Sequence, residues 1–350
     1  MGCTLSRFRD HIDWRVALSD QDHILRIVSK YWESGSLFAA SDLGLFSILV
    51  QGPRTLREIS RHMGVSAVRA NLILRILMSM GLVEKDETLY RLSKSAGDFF
   101  APSEGGSYVI HHYLRGWRNW GNIAKKLQEK ELEADAMSCE ELFNYVMKMT
   151  YIAKYVAPCV IDSVDLTGKS KLLDVGGGAG SYSIAFAHKY KDIEITLLDR
   201  RYVAQIAARR IFQASMQERI SVVAGDIFWF PVRKKYDVIL LANFLHLYPP
   251  NRVRKILETA RQSLMRNGQI LIVDYLPPSQ GSATLALLLF SLHIMIHTQG
   301  GRCYSQKELS GLCEAEGLDI RLIRKLRVCG LEPLDERHPT LMVATRSDES

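Results

Sequence analysis

Lys171-Leu-Leu-Asp-Val-Gly-Gly-Gly-Ala-Gly180 is an apolar run that breaks into glycines and is followed at once by a helical pattern, Ser181 to Lys189. Leu172, Leu173 and Val175 read as a buried parallel strand, the glycines as a tight turn, and the residues after them as the start of a helix. Glycine suits such a turn because the backbone must bend sharply and admit a ligand with no Cβ in the way. The helix N-terminus behind the turn presents unpaired N–H groups to the same ligand.

Working outward, the next strand is Ile193-Glu-Ile-Thr-Leu-Leu-Asp199, closed by an acidic residue about twenty residues beyond the glycines. In doubly wound folds a carboxylate at that place accepts hydrogen bonds from ribose hydroxyls. The turn is not the dinucleotide fingerprint G-x-G-x-x-G: Asp174 to Gly180 reads D-x-G-G-G-x-G, with Ser181 where the last glycine of that fingerprint would fall. A third strand, Ile220 to Val223, leads into Gly225-Asp226. The glycine turn alone is weak evidence; with Asp199 and Asp226 it forms a strong pattern. A Rossmann-like domain that binds NAD, or nothing, is the competing reading.

With those residues in view, the chain resembles the class I S-adenosylmethionine-dependent methyltransferases. More narrowly it is similar to the small-molecule O-methyltransferases of the caffeic-acid and acetylserotonin type, from about Ser36 to Leu341. The resemblance implies that Gly176, Gly178 and Gly180, beside Asp174, cradle the methionine part of the cofactor. It implies that Asp199, followed by Arg200, holds the ribose, and that Asp226, Ile227 and Phe228 contact the adenine. Asn243 is assigned to the same cofactor site.

The totals fit an enzyme of this kind. A chain of 350 residues has room for two domains or one large one. A hydrophobic share of 47% and a charged share of 24% are those of a soluble globular protein. The net charge of +7 is mild for this length. The basic residues are scattered through Arg200-Arg201, Arg209-Arg210, Lys234-Lys235 and Arg321 to Arg327 without interleaved aromatics, which argues for solvated faces and against nucleic acid. Six cysteines show no C-x-x-C pair and no metal spacing, and no signal peptide precedes them, so reduced thiols and a cytoplasmic enzyme are expected. The apolar run Ala283 to Ile296 is too short to span a bilayer and is expected to be a buried helix. Met1-Gly-Cys-Thr-Leu-Ser6 fits the N-myristoylation pattern and is read as a chance match.

Three domains are expected: 1–105, 106–165 and 166–350. Residues 1 to about 20 read as a loosely held arm, and Ile24 to Val50 as helices. Thr55 to Gly64, a helix capped by Ser66 and running through Met80, and the short strands at Gly81 to Glu84 and Leu89 to Leu92 spell a winged helix. Its second helix, Val68 to Met78, is densely apolar and carries only Arg69 and Arg75, so dimerisation fits better than DNA recognition. The resemblance implies the same role, as a homodimer. In the middle stretch Trp117 and Trp120 share a helix face, Glu129 to Asp135 reads as an exposed end, and a helix begins near Phe143. The resemblance places Phe143 and Met147 in the acceptor pocket, with Met149 a further candidate. From Ser170 the alternation of strands and helices predicts a parallel sheet, α/β and doubly wound, with closing strands at about Ile320 to Val328 and Thr340 to Thr345.

Methyl transfer from a sulfonium leaves the protein little covalent work. It must align acceptor and methyl, exclude water and take the acceptor's proton. Imidazole, which titrates near neutrality, is a suitable base. His246, in Ala242-Asn-Phe-Leu-His-Leu-Tyr-Pro-Pro250 just past a buried strand, stands where the family carries its catalytic histidine. Asp274, closing Leu271-Ile-Val-Asp274, stands where plant relatives carry a glutamate that orients it. A surface histidine and a strand-end carboxylate are the bland alternatives.

One departure stands out in Gly300-Gly-Arg-Cys-Tyr-Ser305, where Cys303 replaces a glutamate of the family pattern. A thiol is a poor acceptor. The change fits a weaker base, a more acidic acceptor, methylation of carbon or nitrogen, or a relative that binds the cofactor without methyl transfer. His293, Met295 and His297 lie on the apolar helix that the family uses to cover the acceptor. The two histidines are four apart and share a face, and without a third ligand they make no metal site. The expectation is a homodimeric, metal-independent O-methyltransferase taking its methyl from S-adenosyl-L-methionine and acting on a small aromatic hydroxyl compound. A winged-helix DNA-binding regulator is the rival from another class.

Overall fold

The computed structural model describes residues 14–129, 136–231, 235–278, 283–328 and 338–347. The Met1–Ser6 motif, most of the acidic stretch before Asp135, and Lys234 lie outside the described residues. The chain forms two compact units, Met1–His111 and His112–Ser350.

In the first unit a helix, Trp14–Ser29, begins inside the stretch expected to be a loose arm. Tyr31–Asp42 and Leu45–Val50 follow. Strand β1, Arg54–Thr55, leads into Leu56–His62, whose start is fixed by a reciprocal cap: Glu58 N–H donates to Thr55 Oγ1, and Thr55 N–H to Glu58 Oε2. Ser66 caps Ala67–Ser79. Strands β2 (Val83–Asp86) and β3 (Leu89–Leu92) form the hairpin, and β1 adds to β3 to give a three-stranded sheet, an addition too short to signal itself in the sequence. The core gathers around Leu45, Phe46, Ile59, Leu74 and Leu77, with Phe46 stacked on Phe100 at 4.0 Å. Ala67–Ser79 buries only Ala70, Leu74 and Leu77, while Val68 and Leu72 stay 80% and 58% exposed. Ile24, Leu25, Ile27, Val28, Tyr31 and Trp32 are also more than half exposed.

The second unit is built on a seven-stranded sheet in the order β6-β5-β4-β7-β8-β10-β9. Its strands are β4 (Lys171–Val175), β5 (Glu194–Asp199), β6 (Ile220–Ala224), β7 (Tyr236–Ala242), β8 (Leu264–Asp274), β9 (Leu318–Lys325) and β10 (Thr340–Arg346). The first five run parallel, and β10 and β9 close the edge antiparallel. Side chains alternate between two buried layers: Leu172, Val238, Leu240, Leu271 and Val273 face one, Leu173, Ile239, Leu241, Ile270 and Ile272 the other. Apolar strands buried on both faces explain why these segments read as continuous hydrophobic runs. The strand order reverses between β4 and β7, and ligands of open α/β sheets bind at that point, beyond the carboxyl ends.

Helix Leu285–His297 departs from the expectation of full burial. Leu287, Ile294 and Ile296 are buried, but Leu285, Leu288, Leu289 and Met295 are between 41% and 69% exposed, because a single chain covers only one face of it. No described helix is long and apolar enough to cross a membrane.

Candidate active site

At the reversal point the turn after β4 bends through three glycines at positive φ: Gly176 at 66°, Gly178 at 57° and Gly180 at 81°. Each lies in the left-handed region that side chains disfavour. A Cβ on Gly176 would stand 2.4 Å from the Phe244 ring, and one on Gly177 2.9 Å from the Asp174 carboxylate, whereas Gly178 faces open space. Gly180 caps helix Ser181–Lys189 from behind the turn.

Asp199, at the tip of β5, ties the turn down. Gly178 N–H donates to its Oδ2 at 2.9 Å and Arg200 N–H to its Oδ1 at 2.7 Å. Burial raises its pKa, and those two donors work against the rise. Asp174, 1% exposed inside β4, accepts from Ser183 Oγ at 2.6 Å. Burial raises it to about 7, the Ser183 hydroxyl opposes that, and the neighbouring Asp199 adds to it.

These residues wall a cleft with about 1020 Å³ of atom-free space, its mouth included. Asp174, Gly176, Gly178, Asp199, Arg200, Asp226, Ile227 and Asn243 all line it. Asp226 Oδ1 accepts from Phe228 N–H. Phe228 itself points away from the wall, under Arg252 at 4.7 Å and edge-on to Tyr248. Asn243, at φ +51°, is one of four non-glycine residues at positive φ among the described residues, and its N–H donates to Val273 O at 2.7 Å. The far wall comes from helix Cys139–Asp162, through Leu142, Tyr145, Val146 and Met149. These recur at three- and four-residue spacing on one face, a signal that Met149 alone could have extended. Phe143 and Met147 are half-buried and lie outside this wall.

The cleft fits the expected cofactor on its own chemistry. Glycine N–H groups, a backbone with no Cβ at Gly178, and the Asp199 carboxylate offer what a nucleoside with ribose hydroxyls and a charged amino-acid tail requires. The Tyr182 hydroxyl on the same wall has no hydrogen-bond partner among the described residues.

Beside the cleft, His246 follows β7 and Asp274 ends β8. His246 Nδ1 and Asp274 Oδ1 are 2.7 Å apart, with both residues less than 5% exposed. The carboxylate also accepts the N–H of Tyr275 at 2.8 Å and that of His246 at 3.4 Å. An acceptor of three donors fixes the proton on Nδ1 and leaves Nε2 with its lone pair. Gly301 presses on the main chain here, where a Cβ would meet His246 O at 2.5 Å. Cys303 is buried in the same turn.

On helix Leu285–His297, Phe290 packs edge-on to both the His246 ring (5.6 Å) and Tyr275 (5.0 Å). His293 and His297 stack at 4.2 Å. Trp120 Nε1–H donates to His293 Nδ1 at 3.3 Å, and Asn119 Nδ2 lies 2.9 Å from His297 Nε2. Met295 turns outward. Among the described residues no group of three or more His, Cys, Asp or Glu side chains could hold a metal ion.

Comparison with known proteins gives the family. The profile of the O-methyltransferase domain matches residues 125–319, and that of the O-methyltransferase dimerisation domain residues 25–102. The chain is 27% identical over 311 residues to a 3-hydroxy-5-methyl-1-naphthoate 3-O-methyltransferase of Streptomyces sahachiroi, covering 84% of this chain and 88% of that one. Among solved structures, the mitomycin 7-O-methyltransferase MmcR superposes with a TM-score of 0.81 at 20% identity, covering 95% of this chain and 99% of that one. Human N-acetylserotonin methyltransferase in complex with SAM superposes with a TM-score of 0.78 at 20% identity, covering 97% and 100%. A domain profile spanning more than half of the sequence, over a cleft with this chemistry, settles the class: the chain belongs to the O-methyltransferase family and is an S-adenosylmethionine-dependent methyltransferase.

Proposed function

We propose that the enzyme methylates a hydroxyl group of a small aromatic acceptor, with His246 as general base and Asp274 as the residue that positions it. S-adenosylmethionine supplies an electrophilic methyl group when bound. The glycine turn, Asp199 and Asp226 hold the donor, and the apolar face of Cys139–Asp162 keeps water from it. His246 Nε2 takes the hydroxyl proton as the oxygen attacks. Asp274 keeps Nδ1 protonated and stabilises the imidazolium that forms. The observation that carries this is the buried 2.7 Å contact between His246 and Asp274, at the strand ends beside the donor cleft. An aromatic acceptor is supported by the rings beside His246, Phe290 and Tyr275, and by the naphthoate that the bacterial relative's name specifies.

We further propose a homodimer formed through a winged-helix first unit spanning about 1–105, with 106–165 supplying acceptor contacts and 166–350 the donor site. The open apolar faces of the first two helices and of Ala67–Ser79 support it, as does the dimerisation-domain match.

The test is turnover of a panel of phenolic acceptors with labelled S-adenosylmethionine, paired with calorimetry of donor binding. His246→Ala is expected to abolish most turnover with donor affinity unchanged. Full turnover by that variant across pH would remove His246 as the base.

A further inference from the structure

We propose that His112 binds a carboxylate on the acceptor and so decides which acceptors the enzyme takes; the inference rests on the small-aromatic-acceptor reading above and names the substituent. His112 is 8% exposed and makes no hydrogen bond to any described residue. A largely buried imidazole whose ring nitrogens bond no described residue keeps its hydrogen-bonding capacity for a ligand that comes to rest beside it.

Its surroundings define that ligand. The His112 ring packs against Tyr145 at 5.5 Å and His293 at 6.4 Å. Tyr145 lines the donor cleft, and His293 stands one helical turn after Phe290, which touches the His246 ring. His112 is therefore bracketed by the donor wall on one side and the base's own neighbour on the other. His293 cannot serve in its place, because Trp120 already occupies its Nδ1.

Charge supplies the second half of the argument. Burial first, then Lys148, His293, Arg115 and His297, hold His112 down to about 2, so the ring is neutral and carries one N–H donor and one acceptor nitrogen. Lys148 lies over the Tyr113 and Tyr145 rings, at 5.7 and 5.9 Å. Arg115 is partly neutralised by Glu141 at 3.2 Å. Lys148 and Arg115 both bring positive charge toward His112, which contributes none of its own. An anionic oxygen group answers those cations and the free N–H together, whereas a neutral hydroxyl can accept the N–H but leaves the cations unanswered.

The experiment measures binding of 3-hydroxy-1-naphthoate and 2-naphthol, a pair differing by the carboxylate, to the full-length enzyme saturated with S-adenosylhomocysteine. Wild type is expected to hold the naphthoate at least about tenfold more tightly. His112→Ala should remove a preference of roughly tenfold to a hundredfold while leaving 2-naphthol unchanged, the size of one hydrogen bond to a charged group. His112→Asn, which retains a donor, should restore part of it, and melting curves confirm that each variant is folded. If wild type shows no preference, or binds neither probe, the inference is overturned. It is also overturned if His112→Ala keeps the preference or weakens both probes equally, as a structural role would. Turnover is scored separately. A wild type without the preference whose turnover still needs His246 indicts only the His112 reading, and a preference present in wild type beside a fully active His246→Ala indicts only the base.

Discussion

Asp174 is a carboxylate that water hardly reaches, and its environment gives it a measurable signature. Its folded pKa of about 7 lies above the ordinary 3.8. The native state therefore keeps a proton that the unfolded chain has lost, and stability falls as pH rises through the interval between these values, then levels off. Glu58, held below its ordinary value first by the Thr55 hydroxyl and then by the Thr55 main chain, and Glu141 and Glu308, held down first by main-chain donors at their caps, act in the opposite direction at lower pH. A difference is thus the right measurement: the melting temperature of wild type relative to Asp174→Asn should decline from about pH 4 to about 7. A difference that stays constant with pH would mean that Asp174 is ionised throughout. For the pair beside it, His246→Ala should lower kcat by about a hundredfold to ten-thousandfold. Asp274→Asn, which keeps the shape but loses the charge, should lower it by about tenfold to a hundredfold, with the KM for S-adenosylmethionine unmoved.

The helix Cys139–Asp162 shows what one element contributes and how much of it the sequence announced. Ser138 begins it with a reciprocal cap: Glu141 N–H donates to Ser138 Oγ at 3.1 Å, and Ser138 N–H to Glu141 Oε2 at 2.8 Å. Removing the hydroxyl in Ser138→Ala should cost about 1 kcal/mol, read as a lower denaturant midpoint, and should loosen the wall that carries Tyr145 and Met149. The cap was readable as S-x-x-E, yet the helix was expected only from Phe143. The strands β4, β5, β6 and β7 were legible almost to the residue, because β4, β5 and β7 are largely buried on both faces and mostly apolar, while the edge strand β6 is marked by the Gly225-Asp226 that ends it. Two-residue β1 has no period to read. The spacing predicts a helix from Asn251 to Met265 and a strand only from Gln269, but β8 already begins at Leu264, ahead of the register shift opposite Tyr236 and Val238. Asp199 and Asp226 could be found from strand ends, Asp174 from its place before the glycines, and His246 only with the family resemblance added. Tyr145 and His112 could not, since what makes them notable is which rings they meet, and those come from far along the chain.

At the scale of the whole molecule the unbalanced feature is apolar surface. Ile24, Leu25, Ile27, Val28, Tyr31 and Trp32 form an exposed run on the first two helices, larger than single scattered residues would explain. Covering one such side chain is worth about 1.5–3 kcal/mol. Replacing both Leu25 and Val28 by glutamate should weaken self-association at least about tenfold, seen in sedimentation as a shift from dimer to monomer. An unchanged dimer would place the contact elsewhere.

His246 and Asp274 follow neighbouring parallel strands whose ladder pairs Leu241 with Ile272 and Ala242 with Val273. Asn243 N–H donates to Val273 O at the end of that ladder, and the Asp274 carboxylate takes the His246 main-chain N–H, so sheet and side chain together set their spacing. The proton acceptor is consequently aligned as soon as the sheet closes, and no ordering at that locus is left for substrates to drive. Turnover can then be paced by events at the mouth of the cleft, because the pair beside it is already bonded before either reactant arrives.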